Sequence, residues 1–398
     1  MKRLQAIRDS PMTAVIFAST LVAVMGVSLI SPALPAVQEA WGISETQASL
    51  LLSAFTLPGV VLTVPIGLLA DRIGRKRILV PSLIVFGLSG SAVVLLKGHF
   101  TSILLLRAIQ GAASSAIATM TVTLIGDCFA GEKRRTLIGM NAAILAVGAA
   151  GYPLLGGALA TLSWTAPFLC FLLGVVVAPF GLAFLEEPPR HDANSGGTIR
   201  EFVTGPTSMR PFAVLYVAIF GIFVLLYGAQ LTVVPFILDG SYGLSSGGIG
   251  LLLGLPAVAM GTTAMQGDRL LGWLSSFQSI ALGFTSYGVG LVLLALTDSL
   301  AVVAVALLLF GLGQGLAEPI TDTALNELAP DEFRGSIMSV RTTVLRLGTT
   351  VGPPLCVGLS AVFDYGETLL VCGVAALVIG IGWLLLRSAR PERAVVSN

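Results

Sequence analysis

The 398-residue chain is 55% hydrophobic and 11% charged, with a mean hydropathy of +0.93 and a formal net charge of +1. Soluble domains carry about a quarter charged residues, so composition excludes that class, and the near-zero net charge gives no basis for a nucleic-acid partner. Cys128 falls in a polar break and Cys170, Cys356 and Cys372 in apolar runs; no disulfide framework, metal-ligand spacing or cofactor motif emerges.

Apolar runs of about twenty residues suit a helix that crosses a bilayer. Between polar breaks they predict an all-α membrane protein with twelve transmembrane spans, at 12–34, 46–66, 78–96, 101–125, 137–160, 165–185, 211–235, 246–266, 276–297, 300–325, 336–360 and 367–386. The first run is too long for a signal-peptide core and no small-residue cleavage site follows it, so it counts as a span. With the N-terminus inside, eighteen of the 22 Lys and Arg fall in inner segments, Lys97 alone lies in an outer loop, and Arg107, Arg341 and Arg346 lie within spans. Cationic loops resist translocation, which predicts cytoplasmic termini and a multi-pass protein of the cell membrane.

Between spans two and three, "GLLADRIGRKR" (67–77) crowds Asp71, Arg72, Arg75, Lys76 and Arg77 between oily segments. Gly67 is expected to let the second span approach a neighbour closely, and Gly74 to permit a tight turn. Arg75, Lys76 and Arg77 suit topology and lipid headgroups. Span four carries "LLLRAIQGAASS"; spans one, two and five hold no Asp or Glu, so Arg107 is expected to bond backbone carbonyls or Gln110. Span five carries "GAAGYPLLGG", where Gly148, Gly156 and Gly157 allow close packing and Pro153 removes a backbone donor. This stretch reads as a hinge and seal against span eight. "EEPPRHDANSGGTIREFVTGPTSMRP" (186–211) then reads as a linker, dividing a bundle at 1–187 from a bundle at 211–398 across a cytoplasmic segment at 188–210.

The second half repeats the first. "LPAVQEAWGISETQASLLLSAF" (34–55) matches "VPFILDGSYGLSSGGIGLLLGL" (234–255), "ADRIGRK" (70–76) matches "GDRLLGW" (267–273), "RAIQGAAS" (107–114) matches "GLGQGLAE" (311–318), and "AVGAAGYPLLGG" (146–157) matches "RLGTTVGPPLCVG" (346–358). Four matches in order, each offset by close to half the chain, predict a duplication. Two like six-helix bundles related by an axis along the membrane normal place a substrate site at their interface near the midplane.

These residues resemble the major facilitator superfamily. The 67–77 stretch is similar to its signature loop G-x-L-a-D-r-x-G-r-k-x-x-l at Gly67, Leu69, Asp71, Arg72, Gly74, Arg75 and Lys76. Arg107, Gln110 and Gly111 resemble the helix-4 motif of proton-coupled members. Residues 148–157 resemble the helix-5 antiporter motif g-x-x-x-G-P-x-x-G-G, with Tyr152 in place of the glycine before Pro153. The resemblance implies a twelve-helix fold of the drug:proton antiporter-like branch. It also implies a conformational latch at Gly67, Asp71, Arg72, Gly74 and Arg75, in which Asp71 meets the facing half when the protein opens outward. The facing partner would be the N-terminus of the eleventh helix or Arg341.

Charge inside the spans is the remaining signal, because an ionisable group in hydrocarbon costs on the order of 3 kcal/mol unless paired or hydrated. Gln314, Glu318 and Asp322 recur every fourth residue on one face of span ten. Arg341 and Arg346 return on span eleven, and are expected to pair with Asp322 and Glu318 respectively. Desolvation and an arginine neighbour act oppositely on a carboxylate's proton affinity, so a change of neighbours can load and release a proton. Glu318, Asp322, Arg341, Arg346 and Arg107 are therefore the proton-coupling candidates, set against a permanent structural network of helices ten and eleven. By family analogy Phe55, Gln110, Tyr227, Gln230 and Gln314, with Glu318, line a substrate cavity whose apolar walls suit amphipathic solutes better than sugars.

Together these readings predict a secondary transporter, a monomer in the bilayer that binds protons and a small molecule and exports hydrophobic or cationic compounds by alternating access. An uptake symporter or facilitator for an organic anion, with Arg107, Arg341 or Arg346 binding it, and a lipid transporter stand as alternatives. An intramembrane enzyme lacks its inventory, since His99 and His191 fall in loops and no metal or nucleophile constellation exists.

Overall fold

In hydrocarbon a chain must satisfy its own backbone groups, so each apolar run coils into a helix. A computed structural model describes residues 10–96, 98–188, 210–266, 275–330 and 332–388. Most of the 188–210 linker, the 267–273 repeat copy, Lys97 and His191 lie outside those residues. The described residues form twelve long helical units in chain order: α1 Pro11–Trp41, α2 Glu45–Ile73, α3 Lys76–Leu96, α4 Phe100–Cys128, α5 Gly131–Leu162, α6 Ala166–Phe184, α7 Pro211–Gly240, α8 Ser246–Met265, α9 Ser276–Leu296, α10 Leu300–Leu328, α11 Arg334–Ser360 and α12 Tyr365–Ser388. Strands are absent among them.

Eleven of these helices are long and apolar enough to cross a membrane by length and composition; α11 is not among them. Its 27 residues reach about 40 Å at 1.5 Å per residue, so length is not the obstacle. Arg334, Arg341, Arg346 and a face of Ser and Thr lower its hydropathy, and that face packs on α2 of the other half. Helices also run past the apolar stretches: α2 continues to Ile73 and α5 starts at Gly131.

Two buried apolar cores organise the chain, one drawn from α1 to α6 and one from α7 to α12, with Leu231 and Phe236 of α7 joining the first. The duplication is visible in the backbone. Gly42 and Gly243, at matching places in the repeat, both take left-handed φ, +65° and +60°, where a side chain would be strained. Ser44 then caps α2 in a reciprocal box with Gln47. Gly156 of α5 abuts the Leu29 carbonyl of α1, as Gly352 of α11 abuts the Val224 carbonyl of α7.

The halves meet away from the end that carries the 74–76 turn, termed here the basic end. At the far half of the seam Ser53 donates to the Thr350 carbonyl at 2.8 Å and Thr56 to the Thr349 carbonyl at 3.4 Å. Ser31 donates to the Leu231 carbonyl at 2.6 Å. That carbonyl is available because Pro235 cannot donate to it, and α7 widens there into a π-helical stretch, Leu225–Val233, that the sequence did not predict. Toward the basic end the seam parts: nothing lies within 4 Å of where a Cβ would sit on Gly67, Gly139 or Gly261.

Candidate functional site

At the basic end, Gly74 (φ +109°) makes the turn between α2 and α3. Arg75 is buried at 5% exposure, donating to Asp71 at 2.7 Å, to Asp127 at 2.9 Å and to the Ala70 carbonyl. Glu187 accepts from the backbone N–H of Arg75 and Lys76, placing an anion at the start of α3. Lys76 in return donates to the Leu182 and Leu185 carbonyls at the end of α6. Arg75 and Lys76 therefore tie α2, α3, α4 and α6 together, which corrects the reading of them as headgroup contacts. Asp71 faces Arg75 within its own half, while Arg341 is engaged elsewhere; Arg72 is exposed. Gly67 makes no close approach. Gly59 does so instead, against Arg346 and Ser115.

On α10 and α11 the structure joins Asp322 to Arg341, whose Nε donates to one carboxylate oxygen at 2.7 Å and whose Nη2 bonds the other. The expected Glu318–Arg346 pair is not formed. Among the described residues no cation lies within ion-pair distance of Glu318, whose neighbour one turn back is Gln314. Arg346 reaches the other half, donating to Ser115 Oγ of α4 at 3.1 Å with Nη1 held in the notch at Gly59. Tyr227, on the π-helical stretch, lies within electrostatic reach of both Arg346 and Glu318.

Arg107 is fully buried. Its Nε donates to the Leu51 carbonyl at 3.0 Å, Nη1 to Gln110 Oε1 at 2.7 Å and Nη2 to the Gly26 carbonyl at 2.7 Å, and its guanidinium lies 4.7 Å from the Phe55 ring centre. Phe55 and Gln110 are thus packed around Arg107 at 7% and 0% exposure and do not line an open cavity, contrary to expectation. Gln230 and Gln314 are nearly buried as well.

The α5 glycines divide their work. Gly156 abuts α1, whereas Gly157 abuts the Ser246 carbonyl and Gly250 of α8, and the Pro153 carbonyl lies against Gly250. Gly148 faces Leu21, and Tyr152 donates to the Leu21 carbonyl at 2.9 Å, so the residue departing from the motif anchors α5 on α1. Gly157→Val is expected to destabilise the fold by about 1–3 kcal/mol through overpacking, read as a lower thermal midpoint. Gly139→Val, with open space at its Cβ position, serves as the control and leaves the midpoint unchanged.

An open cleft of about 290 Å³ runs along the seam between α2 and α11, lined by Gly59, Thr63, Gly67, Asp71, Thr342 and Arg346, among others. Sequence reasoning missed its neighbours Gly59 and Ser115, since a lone glycine or serine in a span carries no pattern. It also missed Asp127 and Glu187, whose roles depend on helix ends meeting in space. Among the described residues no cluster of three metal-ligating side chains occurs.

A model of the Major Facilitator Superfamily matches residues 16–344 and 218–398. The chain is 26% identical to the bacillibactin exporter of Bacillus subtilis (strain 168) over 348 residues, 84% of this chain and 86% of that one. It is 28% identical to the multidrug efflux protein YfmO of the same organism over 388 residues, 94% and 92% of the two chains. Its fold is similar to a bacterial homologue of the human lysosomal transporter Spinster, solved inward-facing and unoccupied, with a TM-score of 0.75 at 18% identity over 97% of this chain and 100% of that one. Because the family match runs through both halves and the shared fold covers nearly the whole length, the chain belongs to the Major Facilitator Superfamily of membrane transporters.

Proposed function

We propose that the protein is a proton-coupled exporter of hydrophobic or cationic small molecules, working by alternating access in the cytoplasmic membrane with its basic end inside. Glu318 carries this reading: a carboxylate within a spanning helix, with no cation in ion-pair range among the described residues. In hydrocarbon such a charge costs on the order of 3 kcal/mol, and a proton or a cationic solute relieves that cost. Export is supported by similarity to proteins named as exporters, and orientation by the eighteen basic residues of the inner segments. In this reading the bundles at 1–187 and 211–398 rock about the seam, with 188–210 as linker.

The test is flux in proteoliposomes with an acidic lumen and a permanently charged dye outside, which avoids weak-base trapping. Proton-driven export predicts dye accumulation inside. In matched vesicles loaded with dye, dye leaving along with protons would indicate a symporter, and no protein-dependent flux in either arrangement would overturn the reading.

Asp71 is assigned to the latch of the opposite, outward-open state, since in this basic-end-open state it contacts only its own half. Asp71→Asn is expected to shift the balance about fivefold toward the open basic end, a coupling of about 1 kcal/mol. Spin-label distances between the basic ends of α2 and α11 would lengthen; an unchanged distribution would refute the latch.

A further inference from the structure

We propose that Arg346 is an anion-accepting point in the substrate site, receiving the acidic head of an amphiphile that enters through the cleft between α2 and α11. The inference rests on the transporter assignment but not on the direction or coupling of transport, nor on the cationic solute class proposed above, which it extends to acidic amphiphiles. Three intramembrane arginines differ sharply in how they are satisfied. Arg107 has all three guanidinium nitrogens bonded to protein oxygens, and Arg341 is engaged by both oxygens of Asp322. Arg346 has one side-chain hydrogen bond, to Ser115 Oγ, and among the described residues no carboxylate within ion-pair range. A guanidinium carries five donors in a planar fork, so most of its capacity is unused.

The surroundings hold that charge in place. Gly59 leaves the notch that Nη1 fills; a Cβ there would collide with it. Ser115 fixes one edge from α4, and Tyr227 of α7 lies within electrostatic reach. The hydroxyls of Thr63, Thr342, Thr343 and Ser339 along the cleft donate to carbonyls of their own helices, at 2.6, 3.0, 3.1 and 2.9 Å. They therefore offer the cleft acceptors, which leaves Arg346 as the donor for an acid among its lining residues. Val64 and Leu68 on the cleft wall are 54% and 61% exposed, an apolar surface for the body of the same molecule. Arg346 packs beside Gly59, about 18 Å along α2 from Asp71 at the basic end. That depth favours a soluble amphiphilic acid over the headgroup of a lipid standing in its own leaflet.

The test compares 1-naphthylacetate with the uncharged 2-(1-naphthyl)ethanol on full-length protein in phosphatidylcholine nanodiscs. Calorimetry is expected to show the acid binding about tenfold more tightly, the gain of a charge-assisted fork. Arg346→Gln erases the preference and Arg346→Lys keeps part of it. On unmutated protein, 1-naphthylacetate slows phenylglyoxal modification of Arg346, read by peptide mass spectrometry, and the alcohol does not. Protection appearing in phosphatidylglycerol nanodiscs without added acid would assign the same anion site to a lipid headgroup. Equal affinities for acid and alcohol, with no protection in either lipid, overturn the proposal. Protection without gradient-driven flux would sink proton-coupled export and leave the anion site standing.

Discussion

Glu318→Gln is expected to reduce gradient-driven accumulation to the passive level while substrate binding stays within about threefold. A one-unit pH gradient carries about 1.4 kcal/mol per proton, so one-for-one exchange builds up to tenfold accumulation. A carrier that cannot exchange a proton builds none. Gln keeps the size and hydrogen-bonding edge of the side chain but has no proton to give up. Two carboxylates lie on this face of α10, and their surroundings separate their roles. Asp322 is engaged at both oxygens by Arg341, so its replacement strands a cation and lowers stability. Breaking such a pair costs about 3–5 kcal/mol when fully buried, and less here, where the two side chains are 17% and 32% exposed. Asp322→Asn should therefore lower the thermal midpoint, whereas Glu318→Gln should leave it unchanged or raise it. Gradient-driven accumulation that survives Glu318→Gln would remove Glu318 from the coupling mechanism.

Features written along the chain were the legible ones. Apolar runs marked the helices, and the glycine-aliphatic-serine repeat survives as the paired left-handed turns at Gly42 and Gly243. The helix ends were less clear, because Ile73 and Gly131 lie in polar sequence that nonetheless coils. Contacts across the seam were hardest to read. Helical spacing put Arg346 at the depth of Glu318, but depth does not fix azimuth, and the side chain turns toward Ser115 on a helix 231 positions away in sequence. Cavity residues failed for a related reason: Phe55 and Gln110 are claimed by Arg107 before any solute can meet them. The π-helical stretch of α7 had one local sign, Pro235, but a proline alone does not specify which carbonyl finds a new partner.

Arg107→Ala is expected to be the most destabilising of these substitutions, lowering the thermal midpoint by about 5–10 °C. Arg107 heads the largest fully buried side chains among the described residues, and its truncation leaves a cavity whose cost alone is about 2–5 kcal/mol by analogy with other large-to-small core changes. It also releases a tie among α1, α2 and α4, since the Gly26 and Leu51 carbonyls and Gln110 lose a shared donor. The two backbone bonds matter by about 1 kcal/mol each rather than 3, because a helical carbonyl can keep a backbone donor, whereas the buried Gln110 Oε1 loses its Arg107 donor outright. Against this stands relief from burying a cation with no carboxylate in ion-pair range among the described residues. Arg107→Met separates the two effects, since it fills much of the volume, removes the charge and makes none of the bonds. If the tie outweighs the burial cost, Met falls between Ala and Arg in midpoint. If Met equals or exceeds Arg, the guanidinium burdens the fold, and its place at the junction of three helices must then be explained by transport.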